Sequence, residues 1–345
     1  MIARNEEPRI GKAIASVEGL ADEVIVVDTG STDETIAKAK EWGATVIEGG
    51  DRRNKAGSRN QGIVFATGDW IVILDCDERV GDPVGFKKFL DTTDAQAVYV
   101  KTTFIGDDGK PSLSFSQMRA WRRGRFLYRY RAHEVPLPVN DNWNGQVWTD
   151  FVWEHRPPAT AAWKREHMTM LLLMDVDENP GDPRCMYYLG RELMYAQAYQ
   201  WALDWFQKYM DATSQGHWDR GDVWGCMASC NECLGKEDLA LEQLQHALTE
   251  QPERRDWWGR QAAFYHKRGK HDLAASMLRT MLGLFPDKCY INEYWYGADA
   301  YDLLARCLYY GGKRDEGRRY AQKAAELAPN DQRIVDNLKW FEGAA

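Results

Sequence analysis

The segment 70-WIVILDCDERV-80 joins a run of apolar, largely β-branched residues to three carboxylates, Asp75, Asp77 and Glu78. The apolar run is typical of a buried strand. Two carboxylates separated by one residue at the end of a strand can point the same way, because side chains alternate with a period of two. Like charges held together are costly unless a cation or hydrogen-bond donors compensate them. The segment therefore predicts a binding site at the carboxyl end of a strand.

The chemistry of Asp75 and Asp77 indicates which ligand this site would take. Carboxylate oxygens are hard ligands that suit Mg²⁺ or Mn²⁺, and such ions keep coordination positions for water or substrate phosphates. The pair therefore suggests a site for a metal ion and a diphosphate. Taken alone it fits a solvated loop or a helix cap better than a metal site, because two Asp residues near a turn are common.

The first 155 residues alternate short apolar runs with polar, helix-like segments. Four strands are predicted, at 23–28, 44–49, 69–75 and 95–105. Strands separated by helices of 10 to 15 residues indicate βαβ units, so we predict an α/β, Rossmann-like domain with a mainly parallel sheet. Ligands of such sheets bind at the carboxyl ends of the strands, which is where Asp28 and Asp75 lie.

From about residue 160 the strand signal disappears and an internal repeat begins. Gly235 and Gly269 are 34 residues apart, and so are Pro252 and Pro286. A period of this length, with two helices and a closing Pro, is typical of tetratricopeptide repeats. One helix pair cannot bury its apolar face alone, so stacked pairs forming a solenoid are predicted over 183–342.

Composition limits the classes of protein to consider. The chain has 345 residues, enough for about two domains, with 44% hydrophobic residues and a net charge of -8. An acidic balance argues against a broad nucleic-acid-binding face, although the basic run at 119–131 remains a local exception. No apolar run is long enough to span a membrane. The polar start of the sequence predicts no secretory signal, and the seven scattered cysteines then predict reduced thiols in the cytoplasm.

Three of the cysteines form a cluster. Cys226, Cys230 and Cys233 are spaced by four and three residues, which places them on one helical face. Three thiolates could hold zinc or an iron–sulfur cluster. We favour small buried residues within a helix pair, because no fourth Cys or His has suitable zinc-site spacing.

Four segments in this order carry a resemblance to a known family: MIARNEE (1–7), VIVVDTGSTDET (24–35), AGSRN (56–60) and ATGDWIVILDCDE (66–78). Together they resemble the inverting family 2 glycosyltransferases of GT-A fold, especially bacterial and phage-type members with tetratricopeptide repeats after the catalytic domain. The resemblance covers nearly the whole chain. It implies a GT-A catalytic domain at 1–156, a linker and connecting helix at 157–182 that begins at Pro157 and Pro158, and a tetratricopeptide-like domain at 183–345.

The resemblance also implies a nucleotide-sugar donor, and it assigns residues to the base. Asp28 would contact the nucleotide base, with the segment from Ala3 through Arg4 to Glu6 beside it. An Asp accepts a hydrogen bond from a donor edge such as an imide N–H, so uracil, and hence a UDP-sugar, fits well.

Further residues are assigned to the diphosphate and the metal. The resemblance implies that Asp75 faces the ribose and that Asp77 holds Mn²⁺ or Mg²⁺, with Asp75 as the second candidate metal ligand. A late His completes the metal shell in several GT-A enzymes, so His155 is a third candidate ligand. Arg59 is expected to contact the donor, since its forked, permanent charge suits phosphate or pairs with an Asp.

An inverting transfer needs one general base to take the proton from the acceptor. Family members carry an acidic residue near 130, which makes Glu134 the first candidate and Asp150 the second. The alternative for Glu134 is an ion pair with a nearby Arg. The basic run at 119–131 is expected to neutralise the departing diphosphate or to pair with acidic residues of the solenoid, ahead of binding an anionic acceptor.

The acceptor is the least determined part of the prediction. Repeat solenoids commonly present a concave surface to peptides, so a peptide or protein acceptor is favoured, with a surface polysaccharide or a hydroxylated base in DNA as alternatives. The repeats could also support a homo-oligomer. The other class of function is a non-catalytic interaction module with a degenerate transferase domain, and the intact motifs around Asp28 and Asp77 disfavour it. A nucleotidyltransferase is a third class, but the first strand lacks the Gly-rich triphosphate loop such enzymes need.

Overall fold

The computed structural model describes residues 1–106, 108–140, 143–157, 162–217, 219–285 and 290–342. Its contacts divide the chain into two compact units, Met1–Pro180 and Gly181–Ala345, which are described separately here. In the described ranges, no helix combines the length and the apolar character that crossing a bilayer requires.

The first unit alternates strands and helices as far as residue 105 and then continues mainly as strands. Its elements are β1 (Ile2–Ala3), α1 (Ile10–Ala15), β2 (Ile25–Asp28), α2 (Thr35–Glu41), β3 (Thr45–Glu48), α3 (Lys55–Phe65), β4 (Trp70–Val72), β5 (Glu78–Val80), α4 (Pro83–Thr92), β6 (Ala97–Ile105), β7 (Pro111–Arg122), β8 (Phe126–Arg129), β9 (Val135–Pro138), β10 (Gln146–His155) and α5 (Ala162–Glu178). The four predicted strands are present, whereas β5 and β7 to β10 were not anticipated. Helix α5 lies in the segment predicted as a connecting helix, and Pro158 lies outside the described residues.

Strand direction differs between the two main sheets. Strands β1, β2 and β3 form a parallel sheet, in which Ala3 pairs with Asp28. The second sheet is mixed: β6 and β10 run parallel, whereas β7 lies antiparallel to both β6 and β4, and β5 lies antiparallel to β10. The mainly parallel sheet that was predicted therefore needs correction here. The connection from β6 to β7 is too short for a crossover helix, so these strands form a hairpin.

Aromatic packing fixes β10 in the mixed sheet. Trp153 of β10 is fully buried, and its ring lies 5.0 Å from that of Phe86 in α4, edge to face. Such pairs add to the burial energy of large apolar rings. A second cluster on β7 and β8 contains Trp121, Phe126 and Tyr128. The carboxyl end of β10 therefore projects from a rigid core.

The second unit is built from helix pairs, which confirms the predicted helical repeat. Its elements are α6 (Pro183–Tyr195), α7 (Tyr199–Ala212), α8 (Arg220–Cys233), α9 (Glu237–Glu250), α10 (Arg255–Lys267), α11 (His271–Gly283), β11 (Tyr290–Asn292), α12 (Glu293–Tyr296), α13 (Ala298–Tyr310), α14 (Arg314–Leu327) and α15 (Gln332–Glu342). Pairs α8–α9, α10–α11 and α13–α14 are joined at Gly235, Gly269 and Gly312, whose φ angles of 71°, 73° and 75° favour glycine. Gln197 has the same conformation between α6 and α7, which is why the sequence repeat is weaker there.

The cysteine cluster lies on α8. Cys226 and Cys230 pack with Phe206 and Tyr209 of α7, and burial raises the pKa of the two thiols to about 11 and 12. Across the part of the chain that the structure describes, no group of three or more Cys, His, Asp or Glu side chains is arranged to hold a metal ion, and these cysteines are no exception. The packing interpretation is therefore the one that the structure supports.

Candidate active site

Several side chains named from the sequence lie where strands of the first unit end. Ala3 ends β1, Asp28 ends β2 and His155 ends β10. Asp75 and Asp77 lie in the turn between β4 and β5, which is closed by the N–H of Glu78 donating to the carbonyl of Asp75 at 3.0 Å. This placement matches the expectation that ligands bind at strand ends.

Asp28 organises the turn that follows β2. Its buried carboxylate accepts hydrogen bonds from the backbone N–H groups of Gly30 and Ser31, both at 2.9 Å, and from the Ser31 hydroxyl. An ionised carboxylate has about four acceptor sites. Three are used within the turn, so one remains for a donor edge of a ligand.

The segment after β1 is docked against this turn. The N–H of Asn5 donates to Ser31 at 3.0 Å, and the N–H of Glu6 donates to the hydroxyl of Thr35 at 2.7 Å. Asn5 has a φ of 53°, a conformation that Asn tolerates better than most residues. In Arg4, the buried Nε has no hydrogen-bond partner among the described residues. The predicted base-contacting segment is therefore beside Asp28, with one unused donor.

A chain of alternating charges surrounds Asp75. Arg59 donates to Asp75 at 2.6 Å and to Glu134 at 2.8 Å. Arg119 of β7 lies 3.5 Å from Asp75 and pairs with Glu78, whose carboxylate also accepts from the backbone N–H of Asp75 at 2.9 Å. Except for the partly exposed Asp75, these side chains are buried. Asp75 is thus held from two sides by cations.

These charges shift the pKa values of the carboxyl groups. Burial alone would raise the pKa of Asp75, but Arg59 and Arg119 outweigh it and hold the pKa well below its usual range. Burial also opposes ionisation of Glu134, but Arg59 and Lys55 lower its pKa, so Glu134 is ionised at neutral pH. Burial raises the pKa of Glu78, and Arg119 only partly opposes this shift. Asp75 and Glu134, the two carboxylates that contact Arg59, are therefore both ionised.

Asp77 and His155 form a separate pair. Nε2 of His155 lies 3.3 Å from Oδ2 of Asp77, and each side chain is about one quarter exposed, at 22% and 23%. The ring of Phe104 packs 4.4 Å from the His155 ring, and the N–H of Arg156 donates to the backbone carbonyl of Asp77 at 2.8 Å. Burial lowers the pKa of His155, but the hydrogen bond and charge of Asp77 outweigh it, so the pKa is raised.

The fit to a metal ion rests on this pair. Among the described residues no group of three or more His, Cys, Asp or Glu side chains is arranged to hold a metal. Mg²⁺ is commonly bound through one or two carboxylates together with substrate phosphates. Asp77 supplies such a carboxylate, and His155 lies beside it as a second candidate ligand. Asp75 is instead held by Arg59 and Arg119, and the turn after β4 ends the strand alternation on which its grouping with Asp77 relied.

Asp150 is not brought to the cluster. It is an exposed residue of β10, five positions before His155. At about 3.3 Å per residue, it lies roughly 16 Å along the strand from the end that carries His155. The geometry therefore favours Glu134 over Asp150 as the carboxylate of this site.

Two members of the charge cluster, Glu78 and Arg119, were not predicted as site residues from the sequence. Glu78 belongs to the quoted motif, and its position beside two Asp residues was a usable signal. Arg119 was noted only as part of a basic run. The arginines of this run make different contacts. Arg119 pairs with carboxylates of the site, and Arg122 lies 4.2 Å above the ring of Trp70. Arg131 pairs with Glu178 of α5. In the described residues the carboxylate partner of Arg131 is thus on the connecting helix, whereas the solenoid was expected to supply it.

Comparison with known proteins gives one family match and several partial relatives. The model of glycosyl transferase family 2 matches residues 1–153. A TPR repeat-containing protein of Synechococcus elongatus is 45% identical over 80 residues, which is 23% of this chain and 20% of that protein. An uncharacterized glycosyltransferase of Rickettsia felis is 41% identical over 80 residues, 23% of this chain and 28% of that protein. The alignments thus span about a quarter of the length of each relative.

A third relative and two solved structures complete the comparison. The 4,4'-diaponeurosporenoate glycosyltransferase of Staphylococcus aureus is 38% identical over 82 residues, 22% of each chain. The crystal structure of MamA covers 50% of this chain and 92% of its own, at 17% identity and a TM-score of 0.41. YrrB, described as a TPR protein with an unusual peptide-binding site, covers 51% and 84%, at 18% identity and a TM-score of 0.41.

Proposed function

We propose that the first unit, whose residues 1–153 form a domain of glycosyl transferase family 2, moves a sugar from a nucleotide-sugar to an acceptor. The observation that carries the proposal is that Asp28 ends β2 and that Asp75 and Asp77 lie in the turn between β4 and β5, all within the matched residues. Family membership implies the nucleotide-sugar donor. The UDP-sugar, the divalent metal and the inverting course of the reaction are further parts of the proposal.

The metal ion is proposed to bind at Asp77 and His155. Their side chains are 3.3 Å apart and both reach solvent, so a divalent cation held by them would remain open to the diphosphate of the donor. The ion would neutralise charge that develops on the departing diphosphate. The packing of Phe104 against the His155 ring and the backbone contact from Arg156 hold the two ligands in place.

The nucleoside is proposed to lie between the ends of β1 and β2 and the turn after β4. Asp28 retains one acceptor site for an imide N–H, and the segment from Ala3 to Glu6 lines the same turn. Asp75 is ionised and rigid, which suits it to accept hydrogen bonds from the ribose hydroxyls. Arg59 also has a buried Nη1 without a hydrogen-bond partner among the described residues, and it can donate to the donor substrate.

Glu134 is proposed as the general base. The ion pair with Arg59 keeps the carboxylate ionised, which is the form that accepts a proton, and it fixes the direction of the second oxygen. A base with a lowered pKa takes a proton less readily, so Arg59 would have to release part of its contact when the acceptor binds. Asp150 remains the second proposal, although its distance along β10 counts against it.

The acceptor is proposed to be a peptide or protein. The support is the stack of helix pairs in the second unit, an architecture that often presents extended binding surfaces. A surface polysaccharide and a hydroxylated base in DNA are the other acceptor classes. They are distinguished by supplying each class to the enzyme with a radiolabelled donor.

The first test requires no knowledge of the acceptor. The full chain is incubated with UDP-glucose or UDP-GlcNAc and Mn²⁺, and the release of UDP is measured with and without EDTA. Slow release that depends on Mn²⁺ is expected, because water reaches a transferase site when no acceptor is present. If neither donor is hydrolysed and UDP with Mn²⁺ leaves the melting temperature unchanged, the proposal fails for UDP-sugars.

A further inference from the structure

A pocket of about 400 Å³, lined by both polar and aromatic side chains, opens on the second unit at its last helices. The pocket is formed by side chains of α12, α13 and α15, namely Tyr294, Asp299, Arg306, Arg333, Asn337 and Trp340. Its volume lies within the range of small-molecule sites, about 300 to 1,000 Å³. None of the transferase motifs named above supplies a side chain to the lining of this pocket.

A buried carboxylate fixes the polar side chains of this pocket. Asp302 of α13 is 1% exposed and accepts hydrogen bonds from Arg306 at 3.1 Å, from Arg333 at 2.7 Å and from Asn337 at 2.7 Å. Arg333 also donates to Asp299. The donors and acceptors at the pocket surface are thus held in place before any ligand binds, which lowers the entropic cost of binding.

Two aromatic rings border the same pocket and remain exposed. Tyr294 is 45% exposed and Trp340 is 43% exposed. Each is supported from behind, since the ring of Trp295 lies 4.7 Å from that of Tyr294 and the ring of Tyr309 lies 5.9 Å from that of Trp340. Supported rings left open to solvent beside fixed polar groups form a surface on which the C–H face of a ligand can pack.

We propose that this pocket binds a neutral oligosaccharide. Sugar rings present C–H faces that pack on aromatic rings and hydroxyl groups that both donate and accept hydrogen bonds. The pocket supplies both kinds of partner, since Asp299 accepts while Arg306, Arg333 and Asn337 donate.

The charge balance selects a neutral ligand. The two arginines are matched by Asp299 and Asp302, and Asp331 lies 3.7 Å from Arg333, so no unmatched positive charge is left to attract an anion. A phosphorylated or carboxylated ligand would meet Asp299, and a basic peptide would meet Arg306 and Arg333. A ligand with hydroxyl groups alone needs no counter-charge, and it therefore suits the pocket best.

This inference goes beyond the proposed transfer reaction and does not require it. A sugar site on the helical repeats would let the protein hold a glycan whether or not the first unit catalyses transfer. If transfer also occurs, the site would retain a glycan-bearing acceptor near the enzyme. Each activity can fail in experiment without the other.

Saturation-transfer difference NMR on the full chain tests the proposal. The probes are maltotriose, cellotriose and chitotriose, each at millimolar concentration, with 3'-sialyllactose as a charged comparison. We expect transfer to at least one neutral trisaccharide and weaker transfer to sialyllactose. Signal for none of the neutral probes, or a stronger signal for sialyllactose than for all of them, overturns the proposal.

Variants locate the binding to this pocket. Trp340→Ala and Tyr294→Ala should each weaken the binding of the neutral probe by about tenfold or more, equivalent to about 1.4 kcal/mol. Two variants should retain it: Trp201→Ala, which removes a ring exposed on α7, and Asp77→Ala, which lies in the transferase site. Melting curves identify any variant that unfolds, and two aromatic positions are used so that one folded variant remains. Binding that is unchanged in a folded Trp340→Ala or Tyr294→Ala variant, or lost in Asp77→Ala, contradicts the assignment.

Discussion

Arg59 and Glu134 are 75 residues apart in the chain, and Nε of Arg59 donates to Oε1 of Glu134 at 2.8 Å inside the first unit. The same guanidinium donates to Asp75 at 2.6 Å. One cation therefore connects the carboxylate proposed as general base to the one proposed to face the ribose. A change at Glu134 can act on the chemistry directly or through this ion pair, and the two routes give different results.

Glu134→Gln should retain donor binding and lose transfer. Gln keeps an acceptor oxygen for Arg59 but cannot take a proton near neutral pH, and loss of a general base typically costs about 10² to 10⁴ in rate. Calorimetry would measure the donor affinity, and an assay with the donor and acceptor identified as above would measure the rate of transfer. Asp150→Asn is the matched control and should transfer normally. Lost donor binding together with a lower melting temperature would assign Glu134 to the ion pair alone.

Asp77→Ala should remove the dependence of UDP binding on metal. In the unchanged chain, UDP is expected to raise the melting temperature only when Mn²⁺ or Mg²⁺ is present, because the ion links Asp77 and His155 to the diphosphate. Asp94→Ala, an exposed Asp of the same unit, serves as the control and should behave as the unchanged chain. A UDP response that persists in Asp77→Ala would exclude this residue from the site.

Arg119→Met should destabilise the first unit strongly. Arg119 is buried between Asp75 and Glu78, and removal of one partner of a buried ion pair costs about 3 to 5 kcal/mol because a charge remains buried without compensation. Denaturant unfolding would measure the loss. Arg123→Met changes an exposed arginine of the same basic run and should alter stability by less than about 0.5 kcal/mol. Similar losses in the two variants would show that burial of Arg119 does not decide its role.

Gly259→Ala should destabilise the helical repeats. A Cβ at Gly259 would lie 2.2 Å from the ring of Trp295, so the helices would have to separate, at a cost of about 1 to 3 kcal/mol. Gly283 is the matched control in α11, since a Cβ there meets nothing within 4 Å. Gly283→Ala should be neutral or stabilising by up to about 1 kcal/mol. Thermal unfolding that is unaffected by Gly259→Ala would contradict the close packing of α10 on Trp295.

Asp219→Asn should stabilise the second unit more at pH 8 than at pH 4. Burial, together with the charge of Asp222, raises the pKa of Asp219 to about 7, although Arg184, Arg191 and Arg254 act in the opposite direction. The folded chain then holds this proton more tightly than the unfolded chain, whose pKa is near 3.8. The contribution of Asp219 to the free energy of unfolding therefore falls as pH rises from about 4 to 7 and is constant above that, by linkage.

Asn carries no charge at any of these pH values, so the variant should lose this pH dependence. Melting temperatures at pH 4, 6 and 8 would show a gain that increases with pH. Asp238→Asn, an exposed Asp of α9, should show no such increase. A gain that is equal at all three pH values would mean that Asp219 is ionised throughout.

Only some of the site residues could be predicted from the sequence. Asp28, Asp75 and Asp77 could be named because a strand followed by a carboxylate is a local pattern. Arg119 and the pairing of Arg59 with Glu134 could not, since they depend on contacts between segments 41 to 75 residues apart. The turn between β4 and β5 was also not predicted, and it ends the alternation on which the prediction for Asp75 and Asp77 relied.

The sequence by itself determined strands β2, β3, β4 and β6, the helical segments between them and the helical repeat. Apolar runs of strand length, helix-like segments between them and glycines 34 residues apart are properties of neighbouring residues, so they identify local structure without knowledge of the fold. Only the tertiary structure decided how the strands after residue 105 pair, because antiparallel and parallel ladders can be formed by the same apolar pattern. It also decided which buried charges compensate each other, since a carboxylate in a low-dielectric core is stable only beside the cation that folding brings to it.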